Sequence, residues 1–361
     1  VMDRRFDYKC EDGGAVTAGG LCGASAEQLL NQAYALTPVG SSQRIVLSYI
    51  IQGQKRLLQN AVAFSEVPEG ATITITVEED PDYQPFREIA LQFSKDAKRV
   101  VVRNIAPVCY VVGGPCSGKS SLLNTLLGAP MQLGSSQNAD PVFAEPGNGS
   151  QHKTITLDDI DYCERVFGDA GEDMPNVARA PVLFRDTKGL NLGVTENEKR
   201  LLELMLRGGI GVGQELVWNK ISFYHMAVNW FFRKDRMADV ICVVWSATDD
   251  PDQTPSLLEA INTANNALAV PVQIFLIVTM PDKLAAMAEF NGNERAADRE
   301  VQRRARKAAT LLGISANHTF VVTNVCKDSA QTRHNSFVDQ KLLKIFSRIM
   351  HSGANIRRRR C

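Results

Sequence analysis

The sequence has no long apolar run, no closely spaced pair of cysteines and no net charge. None of its apolar stretches approaches the roughly 18 residues that a membrane-spanning helix requires, so we expect no such helix. Its 40 Lys and Arg residues balance 40 Asp and Glu residues, which argues against general electrostatic capture of nucleic acid or an acidic membrane. With 44% hydrophobic and 22% charged residues, the composition predicts a well-packed protein rather than a disordered one.

The eight cysteines do not form the usual metal or redox patterns. No two of them make a C-x-x-C motif, and several lie inside apolar runs such as PVCYVV (107–112) and VICVVW (240–245). That placement is typical of reduced, buried cysteines in a cytosolic protein. A zinc site built on Cys10 and Cys22 would lack its remaining ligands. Since the first residues also show no signal-peptide pattern, we expect a cytoplasmic protein.

The pattern of predicted elements changes near residue 104. Before it, RIVLSYII and ATITITVEED alternate as strands do, and two other segments have helical periodicity. We interpret residues 1–104 as a small α+β module of unknown role, with a ubiquitin-like fold as one interpretation. Residues 105–352 form a second domain, and residues 353–361 form a basic tail.

From residue 105 onward, apolar strands alternate with helical segments. The predicted strands lie in APVCYVVGG, TITLDDI, APVLFRD, ADVICVVWSA, VPVQIFLIVT and HTFVVTNV. This alternation predicts an α/β fold with a mainly parallel sheet covered by helices on both faces. In such sheets ligands bind at the carboxyl ends of the strands. The chemically active residues of this chain all follow apolar runs, so we expect them at that edge.

A glycine-rich loop follows the first of these strands. Residues 113–120, GGPCSGKS, match the pattern G-x-x-x-x-G-K-[ST] between a predicted strand and a predicted helix, as a phosphate-binding loop requires. Lys119 would reach the β- and γ-phosphates, and the Ser120 hydroxyl would bind Mg²⁺. The alternative is a glycine-rich turn with an exposed lysine. The predicted nucleotide-binding residues here are Gly113, Gly114, Pro115, Cys116, Ser117, Gly118, Lys119, Ser120 and Ser121.

Two further elements are candidates for completing a nucleotide site. DTKG, beginning at Asp186, gives D-x-x-G at a strand end, where the Asp would hold Mg²⁺ through water and the Gly189 N–H would contact the γ-phosphate. Alone, this pattern is more often an ordinary turn. The polar stretch 134–157 is long enough to indicate a mobile loop. Within it Thr154, or as a second choice Thr156, would supply the hydroxyl that completes the Mg²⁺ shell.

The residues that would recognise the base follow two later strands. Thr279 and Asp282 lie in TMPD, and the carboxylate can accept hydrogen bonds from guanine N1–H and its exocyclic amine, which adenine cannot supply in that pattern. The alternative role of Asp282 is to cap the helix that follows. Thr323 and Asn324, in VVTNV, are candidates for further contacts around the base.

GKSSLLNTLLG, FRDTKGL, ADVICVVW, IVTMPDK and VVTNV together resemble the regulatory GTPase domain of the P-loop superfamily over residues 105–350. More narrowly, the chain resembles the interferon-induced protein 44 family, through FRDTKGL followed by LLELMLRGGI, and through LLGISANHTFVVTNV. The resemblance implies binding of GTP or GDP with Mg²⁺, and a role in the immune response. It also implies that residues 113–121 are the phosphate loop, Thr154 or Thr156 the first switch threonine, Asp186 to Gly189 the second switch and Asp282 the guanine reader.

Two places in the chain depart from that family pattern. Thr279 and Met280 stand where such GTPases typically carry Asn and Lys, which puts nucleotide affinity or selectivity in question. Leu190 follows D-x-x-G, where many switch GTPases carry a Gln that orients the attacking water, and a leucine cannot hydrogen-bond water. We therefore expect hydrolysis to be slow, to use a group from elsewhere, or to depend on a partner or dimer.

Two other segments are candidates for surfaces. Residues 215–232, ELVWNKISFYHMAVNWFF, are the most aromatic part of the chain. They either pack against the domain or form a surface, for a partner or for self-association, that changes with nucleotide state. The basic segment 297–309 has acidic neighbours, which predicts a solvated helix face rather than a nucleic-acid site.

Three functions are compatible with these elements. The first is a guanine-nucleotide-binding, GTP-dependent switch or assembly protein with slow or partner-assisted hydrolysis. In it Lys119 and Thr154 are catalytic, and Ser120, Thr154 and Asp186 hold Mg²⁺. The second is a catalytically weak, nucleotide-bound interaction module. The third is a P-loop ATPase or small-molecule kinase, for which the sequence shows no clear acceptor site or arginine-bearing lid.

Overall fold

The fold is known from a computed structural model. It describes residues 4–12, 15–23, 29–30, 32–33, 43–51, 54–58, 67–68, 71–130, 158–159, 180–187, 189–190, 194–210, 236–252, 255–287, 289–290, 293–324 and 336–360. The chain divides into two compact units. The first comprises Val1–Ala90, Pro130–Asp140 and Val325–Gln340, and the second Leu91–Ala129, Pro141–Asn324 and Lys341–Cys361.

A mixed sheet forms the centre of the first unit. Its strands are β1 (Arg4–Asp12), β2 (Ala15–Gly23), β3 (Gln43–Ile51), β4 (Gln54–Leu57) and β5 (Thr72–Glu79), in the order β2-β1-β5-β3-β4. The central pair β1–β5 is parallel, and the other pairs are antiparallel. Alternation brings Leu47 opposite Ile75 and Tyr49 opposite Ile73, and all four are buried. The ubiquitin-like interpretation of this unit stays a prediction.

Helix α1 spans Tyr83–Val102. Its buried residues Phe86, Ala90, Phe93, Ala97 and Val100 recur every three or four positions and so share one face. The division between the two units falls inside this helix, between Ala90 and Leu91. The boundary at residue 104, which follows the helix, stays a prediction.

The second unit is built on a mainly parallel sheet. Its described strands are β6 (Val108–Gly113), β7 (Asp158–Asp159), β8 (Leu183–Asp186), β9 (Val240–Ser246), β10 (Gln273–Thr279) and β11 (Thr319–Val321), in the order β11-β10-β9-β6-β8-β7. Among them, only β7 runs antiparallel to its neighbour. Strands β6 and β9 are buried along their whole length, as expected when both faces are covered.

Helices cover both faces of this sheet. They are α2 (Lys119–Gly128), α3 (Glu196–Leu206), α4 (Pro255–Asn266), α5 (Pro281–Ala285), α6 (Glu294–Leu311) and α7 (Ser336–Arg360). On one face, Tyr110 of β6 shares a core cluster with residues of α3, α4 and α6. On the other face, Phe184 of β8 packs on Phe346 of α7, with ring centroids 5.3 Å apart. The predicted α/β class is confirmed. Among the described helices, none has the length and apolar character needed to cross a bilayer.

The end of α7 includes residues that the sequence analysis assigned to a basic tail. Residues 353–360 are helical, because they dock on the sheet rather than extend into water. A side chain at Gly353 would collide with Pro107, so glycine permits a close approach there. Arg357 Nε and Arg360 Nη1 each lie 3.0 Å from a carboxylate oxygen of Asp239, which is fully buried. These pairs hold the helix end at the start of β9.

Candidate functional site

The predicted site residues meet at the carboxyl edge of the second sheet. The glycine-rich loop runs from Gly113, the last residue of β6, to Lys119, the first residue of α2. Asp186 ends β8, and Thr279 ends β10. Since β6, β8, β9 and β10 are parallel, their ends lie along one edge. This arrangement agrees with the expectation that these residues lie at that edge.

The backbone of the loop needs glycine at two positions. Gly113 has no room for a side chain, because a Cβ there would collide with the Val244 carbonyl of β9. Gly118 has φ 86°, in the left-handed region, and it caps α2. Cys116 also has a positive φ, 55°, and is exposed. That conformation costs a non-glycine residue about 1 kcal/mol, so the surrounding loop must hold it.

Carbonyl groups of the loop are bound from outside by residues of other elements. Thr279 Oγ1 donates to Ser117 O at 2.6 Å, and Asn324 Nδ2 donates to Gly118 O at 3.2 Å. In a trans peptide the C=O and the next N–H point in opposite directions. The N–H groups of Gly118 and Lys119 are therefore directed to the opposite side, at the N-terminus of α2. Such N–H groups form an anion-binding cradle.

Lys119 lies inside this loop. Its side chain is 8% exposed, and Nζ donates to Gly114 O at 2.8 Å. Burial lowers the pKa of Lys119, and the nearby Asp186 carboxylate opposes that shift. A buried cation in a cradle of backbone N–H groups suits a strongly anionic ligand. Lys119 is therefore buried, and not exposed as in the alternative of an ordinary glycine-rich turn.

Ser120 and Asp186 form a pair of oxygen ligands beside the lysine. Ser120 Oγ donates to Asp186 Oδ2 at 2.7 Å. Both groups supply the hard oxygen atoms that Mg²⁺ prefers, so the bonded pair could hold the ion with Ser120 as a ligand and Asp186 acting through water. Within the described residues, no cluster of three His, Cys, Asp or Glu side chains competes with it as a metal site. The third predicted ligand, Thr154, lies outside the described residues, as does Thr156.

The D-x-x-G segment packs directly on the loop. Thr187 Oγ1 donates to Val111 O at 2.8 Å, and Leu190 N donates to Gly113 O at 2.9 Å. A Cβ on Gly189 would lie 2.8 Å from Pro115 Cα, so only glycine fits this approach. Leu190 is fully buried in the core. Its side chain therefore points away from the loop and takes no part in positioning water.

The TMPD segment lies on the other side of the loop. Met280 has φ 57° and serves as N-cap of α5, and its Cε would be 3.3 Å from a Cβ on Gly118. Asp282 is the second residue of α5 and is exposed. The N-cap residue of α5 is therefore Met280 and not Asp282. Thr323 follows β11 and is half-buried next to Asn324.

Sequence reasoning missed how several polar residues are used. Thr279 and Asn324 were assigned to the nucleotide, yet their side chains bind carbonyl groups of the loop. Arg304 was assigned to a solvated basic face, yet it is 8% exposed. The signal available for Thr279 was its position, since a hydroxyl directly after an apolar strand faces the same edge as the loop. Ser121 lies half-buried in the first turn of α2, and the aromatic stretch 215–232 lies outside the described residues.

No family model and no curated protein sequence matches the chain, so the resemblance to the interferon-induced protein 44 family, with the immune role it implies, stays a prediction. Solved structures do match. A dimerization-deficient variant of Toc33 from Arabidopsis thaliana is 13% identical, with 75% of this chain and 93% of that chain covered and a TM-score of 0.39. The small COPII coat GTPase SAR1 from Encephalitozoon cuniculi, in complex with GDP, is 9% identical. The match covers 74% of this chain and 89% of that chain, with a TM-score of 0.32. A variant of SsGBP is 12% identical, with 76% of this chain and 65% of that chain covered and a TM-score of 0.32. Likeness at this level says nothing about the ligand of the present chain.

Proposed function

We propose that the chain is a guanine-nucleotide-binding protein that takes GTP or GDP with Mg²⁺ and acts as a GTP-dependent switch or assembly protein. One observation carries the proposal. The buried Lys119 lies within the N–H cradle of its loop, beside the Ser120–Asp186 pair at 2.7 Å. This combination provides a cation, backbone donors and hard oxygen ligands at one point, which is what a Mg²⁺–nucleotide phosphate requires.

Each residue of the loop has a separate task in this proposal. Lys119 donates to phosphate oxygens while keeping its bond to Gly114 O, since an ammonium has three donors. The N–H groups of Gly118 and Lys119 bind the same phosphates. Ser120, Asp186 and Thr154 would hold Mg²⁺, which would supply charge stabilisation to the transferred phosphoryl group. Gly189 contacts the γ-phosphate through its N–H.

Hydrolysis in this proposal is slow or partner-assisted. The position that would orient the attacking water carries Leu190, and that side chain is fully buried. Lys119 stabilises charge on the γ-phosphate and Thr154 completes the metal shell, but neither places a water molecule. A group from a partner or a second copy would supply that function. The same burial also favours the second candidate, a catalytically weak, nucleotide-bound interaction module.

Recognition of guanine rests on Asp282. Its exposed carboxylate follows β10 at the same edge as the loop. Two carboxylate oxygens can accept from guanine N1–H and the exocyclic amine together, and a site of this kind discriminates strongly against a base that lacks those donors. A P-loop ATPase or kinase remains the third candidate and predicts no such preference.

The direct test is to identify the nucleotide that the purified protein carries and to measure its phosphate release. We expect bound GDP or GTP, tighter binding of GDP than of ADP, and slow release of phosphate from GTP. Turnover of ATP with no preference for guanine would exclude the first two candidates, the GTP-dependent switch and the nucleotide-bound interaction module. GTP that stays intact at all protein concentrations would favour the interaction module.

Lys119→Ala tests the loop itself. Removing the buried ammonium leaves the phosphates without their cation, so GDP affinity should fall by about 100-fold or more. Lys344→Ala, at an exposed lysine of α7, is the matched control and should bind GDP as the wild type does. Equal GDP affinity in the two variants would refute the assignment of the loop.

A further inference from the structure

The turn after β9 supports the base side of the candidate site. Ala247 N donates to Thr279 O at 2.8 Å, which joins the turn to the end of β10. Ser246 Oγ lies 2.6 Å from Thr248 Oγ1 and 3.7 Å from Met280 Sδ. The turn thus contacts the first two residues of TMPD, the segment that also carries Asp282.

Met280 connects this turn to the phosphate loop. Its backbone has φ 57° and ψ 39°, a left-handed conformation that costs a residue with a side chain about 1 kcal/mol. Such a conformation persists only when its surroundings hold it. The sulfur contacts Ser246, and the terminal methyl lies against Gly118. Any displacement of the turn would therefore move Met280, and with it the start of α5.

Arg304 of α6 donates hydrogen bonds to the backbone of this turn. Its Nη1 donates to Ala247 O and to Thr248 O, both at 3.0 Å, and its Nε donates to Glu300 Oε1 at 2.7 Å. The side chain is 10% exposed. A planar guanidinium can bind two carbonyl groups and a carboxylate at fixed angles, which a lysine cannot do.

We propose that Arg304 is a positioning residue for guanine recognition, acting through the turn at 246–249 and Met280 on the placement of Asp282 relative to the phosphate loop. The proposal rests on the proposed function, since it assumes that the site binds guanine nucleotides. Arg304 bonds the turn, and no hydrogen bond joins it to the phosphate loop among the described residues. Because it reaches the loop only indirectly, its effect should fall more strongly on the base-dependent part of binding than on the phosphate-dependent part.

The test compares Arg304→Met with Arg306→Met by calorimetric titration. Arg306 lies on the same helix, is exposed, and donates only to Gln302 O of its own helix in the described contacts. The ligands are GDP, ADP and pyrophosphate, each with Mg²⁺. We expect Arg304→Met to bind GDP about tenfold more weakly, to lose much less affinity for pyrophosphate, and so to lose preference for GDP over ADP. Arg306→Met should match the wild type, and Arg304→Lys should recover part of the lost preference.

Two results would overturn the role of Arg304. One is an Arg304→Met variant with wild-type GDP affinity. The other is a parallel loss of GDP and pyrophosphate binding, which would mean that Arg304 supports the fold and not the base site. If Arg304→Met does not fold, Glu300→Gln removes the carboxylate partner and is judged by the same comparison. A wild-type protein without preference for GDP over ADP would instead contradict the proposed function.

Discussion

Thr279 is a fully buried residue whose hydroxyl joins the end of β10 to the glycine-rich loop. It donates to Ser117 O at 2.6 Å and lies 3.3 Å from Trp245 O. Thr279 and Met280, which depart from the family pattern after β10, therefore still contact the loop. The presence of Thr279 and Met280 in place of Asn and Lys therefore does not leave the loop unsupported.

Thr279→Val should weaken nucleotide binding without changing the shape of the strand. The methyl group fills the same space, but Ser117 O loses its donor, and an unsatisfied buried carbonyl costs about 1–3 kcal/mol. We expect a lower melting temperature and GDP affinity reduced by about tenfold. Thr279→Ser keeps the hydroxyl and is the control. Valine and serine variants with the same GDP affinity would show that the bond is dispensable.

Asp282→Asn should change which base is preferred. The amide keeps one acceptor but presents an N–H₂ group where guanine also presents donors, so GDP affinity should fall by about 100-fold or more. Xanthosine diphosphate, with a carbonyl in place of the exocyclic amine, should bind the variant better than GDP does. Competition against a fluorescent guanine nucleotide measures both affinities. A variant that still prefers GDP would remove Asp282 from base recognition.

At the scale of elements, α6 carries an ion cluster that is sensitive to acid. Arg303 and Arg304 bond Glu300 and lower its pKa from 4.5 to about 2. A carboxyl with a lowered pKa in the folded state adds stability above its unfolded pKa, and that stability is lost as the pH falls towards the folded pKa. The contribution is about 1–2 kcal/mol once solvent screening is allowed for.

We therefore expect stability to fall between about pH 4.5 and pH 2, and Glu300→Gln to remove this part of the acid dependence. Denaturant unfolding across that pH range measures it. At neutral pH, Glu300→Gln should be less stable than the wild type by about the same 1–2 kcal/mol. Parallel pH profiles of the two proteins would show that the cluster contributes no stability.

The four arginines at the end of α7 should differ sharply in their importance. Arg357 and Arg360 bind the buried Asp239, whereas Arg358 and Arg359 are exposed. Burial holds the pKa of Asp239 above its usual value although Arg357 opposes the shift. Removing one partner, Arg357, leaves Asp239 with Arg360 and the Val108 N–H, so the cost should lie below the roughly 3–5 kcal/mol of a buried charge with no partner.

Arg357→Met should accordingly lower the melting temperature by several degrees, while Arg358→Met should change it little. Differential scanning calorimetry compares the two variants directly. An equal effect of both substitutions would mean that charge at the helix end matters, and not the contact with Asp239.

The sequence predicts the elements that are contiguous and misses those made by distant residues. The strand, glycine-rich loop and helix could be predicted because they follow one another within 108–128. The Thr279 bond joins residues 162 positions apart, and the Asn324 bond joins residues 206 positions apart. Nothing local distinguishes Arg304 from its exposed neighbours in a basic helix. Such contacts depend on which strands become adjacent, and the order of strands is not written in any one segment.

At the scale of the whole molecule, the net charge is zero, and several basic side chains form ion pairs with carboxylates. Arg303 and Lys307 bond Asp252, Arg304 bonds Glu300, and two of the C-terminal arginines bond Asp239. These basic residues are thus engaged with carboxylates.

Nucleotide binding should stabilise the protein as a whole. A ligand at 100 times its dissociation constant adds about 2.7 kcal/mol to the free energy of unfolding, which corresponds to a rise of roughly 5–10 °C for a domain of this size. We expect that shift with GDP and Mg²⁺ in a thermal scan and none with Lys119→Ala. A wild-type melting temperature that GDP leaves unchanged would contradict the proposed site.

The external bonds to the loop carbonyls have a thermodynamic consequence. Leu190, Lys119, Thr279 and Asn324 each fix one carbonyl between Gly113 and Gly118, so the loop loses its conformational entropy when the chain folds and not when the ligand arrives. A phosphate then meets donors that are already aligned, and little ordering opposes association. Binding should show a small entropy penalty and a heat-capacity change set by the base alone.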